Sequence, residues 1–112
     1  MKISPVSFGL VTAVSGNNKK IQQLRRELYD SSKIARVDLT DYYKKTYSNG
    51  LLAQAVRNNQ MIDFYITGDD FDSYTQKKRG WRTLNEVACQ LDVYYDLNKF
   101  STNVVKDKIK EI

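Results

Sequence analysis

At 112 residues, the chain is long enough for one modest hydrophobic core and too short to suggest two, so we expect a single globular domain over residues 1–112. It has no histidine and one cysteine, Cys89, which excludes Cys/His zinc sites, histidine-based catalysis and an internal disulfide. Its 18 basic and 13 acidic residues give a net charge of +5, which favours anionic partners only weakly. The sequence lacks both a signal-peptide pattern and an apolar run of membrane-spanning length, so we expect a cytoplasmic protein without membrane contact.

The first strand and helix are predicted from a change in apolar pattern. Residues 6–14 are apolar at both alternating sets of positions, which indicates a central strand buried on both faces. Ser15 or Asn17 can cap the helix that follows, whose apolar stripe runs along residues 21–28. The same junction could bind phosphate, but it lacks the glycine spacing of phosphate loops, so a plain helix cap is favoured.

A second strand and a short helix follow. Residues 35–40 alternate between apolar and polar, which indicates a half-buried strand at a sheet edge. Residues 41–50 are compatible with a helical turn or an ordered surface loop. Residues 51–56 form a short apolar stripe, and Ser48 or Asn49 is placed to cap that helix.

The third strand is predicted over residues 62–67, where the alternation is strict. Apolar side chains occupy one face, and polar or amphipathic ones occupy the other, which predicts a half-buried strand. Gly68 ends it, since glycine adopts the positive φ that a sharp exit needs. The two faces consist of Ile62, Phe64 and Ile66, and of Asp63, Tyr65 and Thr67.

Two helices are predicted after this strand. Thr83 begins the pattern Thr-Leu-Asn-Glu of a capping box, followed by helical apolar spacing over residues 84–97. Val105, Ile109 and Ile112 repeat at i, i+4 and i+7 and indicate a short closing helix.

This alternation of strands and helices predicts a small α/β domain. We expect a three-stranded, mostly parallel sheet in the order 2-1-3, flanked by helices and followed by an extra C-terminal helix. Ligands of open parallel sheets bind at the carboxyl ends of the strands. The sequence therefore predicts a shared strand-end site in which residues 15–18 face Gly68, Asp69 and Asp70.

Aspartates near the strand ends define one candidate site. Asp69, Asp70 and Asp72, with Asp38, could supply the oxygen ligands that Mg²⁺ prefers, as in an enzyme acting on phosphates. Aspartates are also common in turns, where they accept hydrogen bonds from backbone amides, and this second interpretation is favoured.

Cations interleaved with aromatic rings define the second candidate site. Such a surface can anchor a protein through tyrosine, tryptophan and arginine, or neutralise phosphates while stacking on bases. The alternative is that these rings fold back onto the core. The residues are Tyr42, Tyr43, Lys44, Lys45, Tyr47, Lys77, Lys78, Arg79, Trp81 and Arg82.

The leading functional prediction is a small binding or regulatory domain that acts through protein contacts, with no cofactor and no chemistry of its own. The alternatives are a nucleic-acid-binding module that uses the basic aromatic segments and a magnesium-dependent enzyme that uses the acidic strand ends.

Overall fold

The computed structural model describes residues 11–31, 33–45, 50–67 and 93–111, which form an α/β unit with one mixed sheet. None of the helices in these ranges has both the length and the apolar character needed to cross a membrane. The strands are β1 (Val11–Gly16), β2 (Ile34–Asp38), β3 (Met61–Thr67) and β4 (Val93–Asp96). The helices are α1 (Asn18–Glu27), α2 (Thr40–Lys45), α3 (Leu51–Arg57) and α4 (Thr102–Lys110).

The described strands follow the order β2-β3-β1-β4, and the predicted order 2-1-3 is wrong. β3 pairs antiparallel with both β1 and β2, whereas β1 pairs parallel with β4. β1 is an interior strand, as expected, but it is not parallel to both of its neighbours. β1 and β2 still run in the same direction around α1, and β3 is inserted between them, so the crossover spans a gap of one strand.

The fourth strand replaces the end of a predicted helix. Residues 84–97 were expected to be helical, but Val93–Asp96 forms β4 and pairs with β1 from Thr12 to Ser15. Valine and tyrosine are favoured in strands, and pairing with a buried strand outweighs the helical spacing here. The capping box at Thr83 and the rest of that segment lie outside the described residues.

Helices cover both faces of the sheet, with α2 and α3 on one face and α1 and α4 on the other. The helices at residues 18–27 and 51–57 therefore lie on opposite faces, as predicted. The buried core on the side of α2 and α3 consists of Val11, Ala13, Leu39, Leu52, Val56, Ile62, Phe64 and Ile66. The buried core on the side of α1 and α4 consists of Val14, Ile21, Leu24, Leu28, Tyr65, Leu97, Val105 and Ile109.

β3 is buried on both faces, which corrects the prediction of a half-buried strand. Asp63 has 0% of its surface exposed and Tyr65 has 1%. The alternation of apolar and polar residues is real, but α1 covers the polar face. Because β3 lies between two strands, its polar residues needed partners inside the protein in place of water.

Capping residues mark where α1 and α3 begin, and a turn follows α3. The Asn17 side chain accepts a hydrogen bond from the Lys20 amide at 2.9 Å, which confirms the predicted cap of α1. Gly50 is the N-cap residue of α3, and Ser48 and Asn49, the predicted capping residues, lie outside the described residues. After α3, Asn59 turns the chain with a φ of 64°.

The closing helix is confirmed as α4, and its capping residue is clear. The Ser101 hydroxyl accepts a hydrogen bond from the Val104 amide at 3.2 Å. Val105 and Ile109 are buried against α1 and the sheet, as their spacing predicts. Ile112 lies outside the described residues.

The strand directions also decide which termini share an edge of the sheet. Gly16 pairs with Met61 at one edge, and Val11 pairs with Ile66 toward the other. The last residue of β3, Thr67, is therefore at the edge opposite Gly16. The predicted strand-end site shared by β1 and β3 is wrong, because antiparallel strands end at opposite edges.

Candidate binding groove

A cavity of about 400 Å³ lies at the edge where the parallel strands β1 and β4 end, on the side of the sheet that carries α3. We call it the groove. It is where carboxyl ends of parallel strands meet, as expected for ligand sites in such sheets, but the partner of β1 is β4 and not β3. The described residues that line it are Ser15, Leu51, Gln54, Ala55, Asn58, Gln60, Tyr94, Asp96, Asn98, Lys99 and Phe100.

Two hydroxyl groups form the polar floor of the groove. The Ser15 Oγ and Tyr94 OH atoms are 2.6 Å apart, so one hydroxyl donates to the other. The accepting hydroxyl keeps its own proton, for which no acceptor is present among the described residues. Ser15 is 1% exposed, so the hydroxyl pair lies at the bottom of the cavity. The floor can thus offer a hydroxyl donor to a group that enters the groove.

Carboxamide side chains form the walls. The Asn98 Nδ2 atom donates to the Gln60 Oε1 atom at 3.4 Å, and Gln60 Nε2 donates to the Asn58 carbonyl at 3.4 Å. Both hydrogen bonds are long, so each can be exchanged for a better one at small cost. Gln54 extends from α3 and is exposed to solvent. Each carboxamide group carries both donors and an acceptor, which suits it to pair with peptide groups.

Two exposed apolar side chains border these polar walls. Leu51 is 68% exposed at the first residue of α3, and Phe100 is 43% exposed in the turn after β4. The Phe100 ring contacts the Tyr95 ring edge to face, with ring centroids 5.5 Å apart, which restricts its orientation. Apolar side chains left in water beside a polar cavity are common at interaction sites.

Hydrogen bonds within the turn after β4 and to β1 and α1 hold this turn in place. The Asp96 carboxylate accepts a hydrogen bond from the Asn98 amide at 2.8 Å, and the Leu97 amide donates to the Ser15 carbonyl at 2.8 Å. The Lys20 ammonium group donates to the Leu97 carbonyl at 3.1 Å. Because Asp96 and Lys99 both line the groove, their formal charges cancel there.

A second polar assembly, the Asp63 cluster, lies on the opposite face of the sheet. Asp63 Oδ2 accepts from Arg25 Nε at 2.8 Å and from Tyr65 OH at 3.1 Å, and its Oδ1 accepts from Arg25 Nη2 at 2.7 Å and Arg36 Nη1 at 3.2 Å. Arg25 Nη2 also donates to Asp38 Oδ2 at 3.2 Å. The cluster comprises Asp63, Arg25, Arg36, Tyr65 and Asp38, and these contacts compensate the buried charge of Asp63.

Burial and neighbouring charges shift several groups of the cluster. Burial raises the pKa of Tyr65, and the adjacent Asp63 charge raises it further. Hydrogen bonding to Asp63 raises the pKa of Arg25 despite its burial. Burial also acts to raise the pKa of Asp38, but hydrogen bonds from Thr40 and the charge of Arg25 outweigh it, so that pKa is lowered.

The described part of the predicted aromatic and basic surface lies on α2. Tyr42 and Tyr43 are half-buried against the core, with their ring centroids 5.0 Å apart, while Lys44 and Lys45 are exposed. Residues 41–45 thus form a helical turn, one of the two interpretations left open by the sequence. The other predicted residues lie outside the described ranges: Tyr47, Lys77, Lys78, Arg79, Trp81 and Arg82.

Of the four predicted metal ligands, Asp38 lies within the described residues. Asp38 pairs with Arg25 and accepts a hydrogen bond from the Thr40 amide at 2.9 Å. Within the described ranges, no group of three or more acidic, cysteine or histidine residues is close enough to hold a metal ion. Asp69, Asp70 and Asp72 lie outside these ranges.

Sequence reasoning missed both polar assemblies. Asp63 was assigned to a solvent face, because its partners Arg25 and Arg36 lie 38 and 27 residues away along the chain. The groove depends on β4, which was assigned to a helix, so the proximity of Ser15 and Tyr94 could not be predicted. The sequence signal that remained was the polar run at residues 58–60.

Comparison of the chain with models of protein families, with curated proteins and with solved structures gives no significant match.

Proposed function

We propose that the chain is a small binding domain that acts through protein contacts, and that the groove receives an extended peptide segment of its partner. The observation that carries this proposal is the combination, in one cavity, of carboxamide walls with two exposed apolar side chains at the border. A peptide has the matching combination of backbone hydrogen-bonding groups and apolar side chains.

The hydrogen-bonding groups of the groove support a peptide ligand. A bound backbone presents alternating N–H donors and C=O acceptors. Gln54, Asn58 and Asn98 can pair with either kind of group, and the Ser15–Tyr94 hydroxyl pair adds a donor at the floor. Each hydrogen bond formed there also avoids leaving a peptide group without a partner on desolvation.

The apolar border supplies the second part of the recognition. Leu51 and Phe100 can bury surface against side chains of the peptide, at about 25 cal/mol per Å² of apolar area removed from water. The Phe100 ring is already oriented by Tyr95, so little rotamer entropy is lost when it is covered. Such preorganised aromatic anchors are typical of the energetic centres of protein interfaces.

Charge favours a protein ligand over nucleic acid at this site. Lys99 and Asp96 compensate each other, so the groove lacks the cationic surplus with which proteins hold a phosphate backbone. The rings of Tyr42 and Tyr43, part of the basic aromatic surface, pack partly into the core. Their contribution to base stacking would require those contacts to be given up.

A peptide selection tests the proposal. Random peptides displayed on phage are selected on the immobilised protein, and the affinities of enriched peptides are measured for variants. The double variant Leu51→Ser, Phe100→Ser should weaken binding by at least about tenfold, since two apolar anchors are removed. Tyr29→Ser is the matched control, because Tyr29 is 87% exposed and does not line the groove.

Two outcomes would contradict this function. One is a selection that yields no recurring peptide sequence, and the other is peptide binding that the double variant retains in full. A parallel titration uses a single-stranded oligonucleotide of random sequence. Submicromolar binding that falls steeply with salt and ignores the groove variants would favour the nucleic-acid alternative.

A further inference from the structure

A second cavity, of about 300 Å³, lies far from the groove, on the α1 and α4 face at the edge where β2 begins and β3 ends. Its lining includes the polar residues Arg25, Arg36 and Ser31, the apolar residues Leu28 and Ile34, and the two tyrosines Tyr29 and Tyr65. It shares no described residue with the groove. A ligand there would therefore not occupy the same residues as a peptide in the groove.

The two guanidinium groups are held from behind by the Asp63 cluster. Asp63 engages the Nε and Nη2 edge of Arg25 and only Nη1 of Arg36. Among the described residues, no acceptor faces Nη1 of Arg25 or Nε and Nη2 of Arg36. Asp63 itself is fully buried, and no acidic residue is among the described residues lining the cavity.

Orientation of arginines by a buried carboxylate is useful chemically. A guanidinium group has five N–H donors in a fixed plane, so fixing one edge also fixes the direction of the others. Donors that are already positioned lose little entropy when they bind, and hydrogen bonds from arginine to an oxyanion are among the stronger ones in proteins. The Asp63 cluster therefore fixes the direction of the remaining Arg25 donor and holds Arg36 beside this cavity through one hydrogen bond.

We propose that this cavity is a binding site for a small ligand that carries an oxyanion, a phosphate or a carboxylate group. The oxyanion accepts hydrogen bonds from Arg25, Arg36 and the Ser31 hydroxyl, and the organic part of the ligand rests on Leu28 and Ile34. Because Asp63 and Asp38 offset the two guanidinium charges, binding depends on directed hydrogen bonds more than on net charge. The affinity for inorganic phosphate is accordingly expected to be weak, on the order of 1 mM.

The test is a calorimetric titration at constant ionic strength with inorganic phosphate, phenyl phosphate, acetate and benzoate. Arg36→Gln should weaken binding of the preferred anion about tenfold or more, the loss expected for one charge-assisted hydrogen bond. Arg26→Gln is the matched control, since Arg26 is an exposed arginine of α1 outside the cavity. The affinity of this variant for the anion should change less than about twofold. Phenyl phosphate or benzoate should bind more tightly than the corresponding simple anion. Tighter binding of the two phosphates than of the two carboxylates, or the reverse, shows which oxyanion the site prefers.

Ser31→Asp keeps the proposal testable if Arg36→Gln is poorly folded. Ser31 makes no hydrogen bond to Asp63, and a carboxylate at its position would repel the ligand and compete with it for the free donors of Arg25 and Arg36. Loss of anion binding in this variant, with an unchanged thermal transition, supports the site. Absence of saturable binding to every probe at millimolar concentration overturns it, as does an equal effect of Arg36→Gln and Arg26→Gln.

Discussion

Arg25 and Asp63 form a two-point ion pair that connects α1 with the middle of β3. Arg25 Nε and Asp63 Oδ2 are 2.8 Å apart, and Arg25 Nη2 and Asp63 Oδ1 are 2.7 Å apart. The Asp63 side chain has no solvent exposure, whereas 19% of the Arg25 side chain is exposed. This pair allows a strand with a polar face to lie inside the sheet, because it supplies the partners that water would otherwise provide.

Replacing Arg25 with alanine should lower the free energy of unfolding by about 3 kcal/mol, the lower end of what is lost when a buried ion pair is broken. Asp63 would retain only Arg36 and Tyr65 as partners. Chemical denaturation with urea measures the change. Arg26→Ala is the control, and as an exposed neighbour it should change stability by no more than about 0.5 kcal/mol. If the two variants lose the same stability, the ion pair does not hold β3 in place.

The sequence predicted which residues of β3 share a face, but not what covers them. Strict alternation over residues 62–67 gives the strand and its two faces, since side chains alternate across any strand. Alternation does not distinguish a face covered by water from one covered by an amphipathic helix that supplies an arginine. Arg25 is 38 residues from Asp63 along the chain, so the pairing is a tertiary event without a local signal.

Strand direction was the second feature beyond the reach of local pattern. Strands separated by helices favour parallel pairing, and β1 and β2 do run in the same direction. β3 returns between them because α2 and α3 bring the chain back along the other face of the sheet. The groove was missed for a different reason. Its floor pairs Ser15 with Tyr94, which are 79 residues apart, and the helical spacing assigned Tyr94 to a helix.

Acid should remove a stabilising contribution from Asp38. Its pKa in the folded protein lies below the ordinary value of 3.8, because the contacts with Thr40 and Arg25 outweigh the effect of burial. The contribution is therefore complete above about pH 4 and is lost as the pH falls through the lowered value. Asp38→Asn should cost about 0.5 to 1 kcal/mol at pH 7, a modest figure because 41% of the side chain is exposed. The difference between wild type and variant should narrow in urea denaturation at pH 3.

Asp30→Asn is the control for this pH dependence, because Asp30 is exposed and makes no ion pair among the described residues. Its effect on the free energy of unfolding should stay within about 0.5 kcal/mol at either pH. A difference between wild type and Asp38→Asn that stays constant from pH 7 to pH 3 would contradict the assignment.

Tyr65 should lose its contribution to stability as the pH rises, whereas Asp38 loses its contribution as the pH falls. Burial and the Asp63 charge raise the pKa of Tyr65 well above 10.0, so the folded state retains the phenolic proton when the unfolded state has lost it. Stability from this group is complete below about pH 10 and is lost above it, by as much as about 1.4 kcal/mol for each pH unit. Tyr65→Phe should cost about 1.5 kcal/mol at pH 7, through its lost hydrogen bond to Asp63, and progressively less above pH 10.

Denaturation curves from pH 7 to pH 11 measure how the stability difference between wild type and Tyr65→Phe decreases. Tyr29→Phe serves as the control, because Tyr29 is 87% exposed, and its curve should follow that of the wild type throughout. If the cost of Tyr65→Phe is the same at pH 11 as at pH 7, Tyr65 does not titrate differently in the two states.

Gly16 should not tolerate a side chain, because the end of β4 passes close to it. A Cβ atom built on Gly16 would lie 2.9 Å from both Cβ and Cδ1 of Leu97, closer than carbon atoms approach in proteins. Leu97 is 2% exposed and is packed in the core under α1 and α4, so it has little room to move. We expect Gly16→Ala to lower the free energy of unfolding by about 1 to 3 kcal/mol, as overpacking of a core does.

A double-mutant cycle with Leu97→Ala tests the origin of this loss. Shortening Leu97 removes two of the three close atoms, so Gly16→Ala should cost less in the Leu97→Ala background than in the wild type. If the alanine side chain pushes Leu97 away, the movement should reach the groove. The Leu97 amide donates to the carbonyl of Ser15, whose hydroxyl forms part of the groove floor. Gly16→Ala should therefore weaken binding of peptides selected on the groove while leaving phosphate binding at the cavity lined by Arg25 and Arg36 unchanged. Strictly additive costs in the cycle would show that contact with Leu97 is not what excludes a side chain at Gly16.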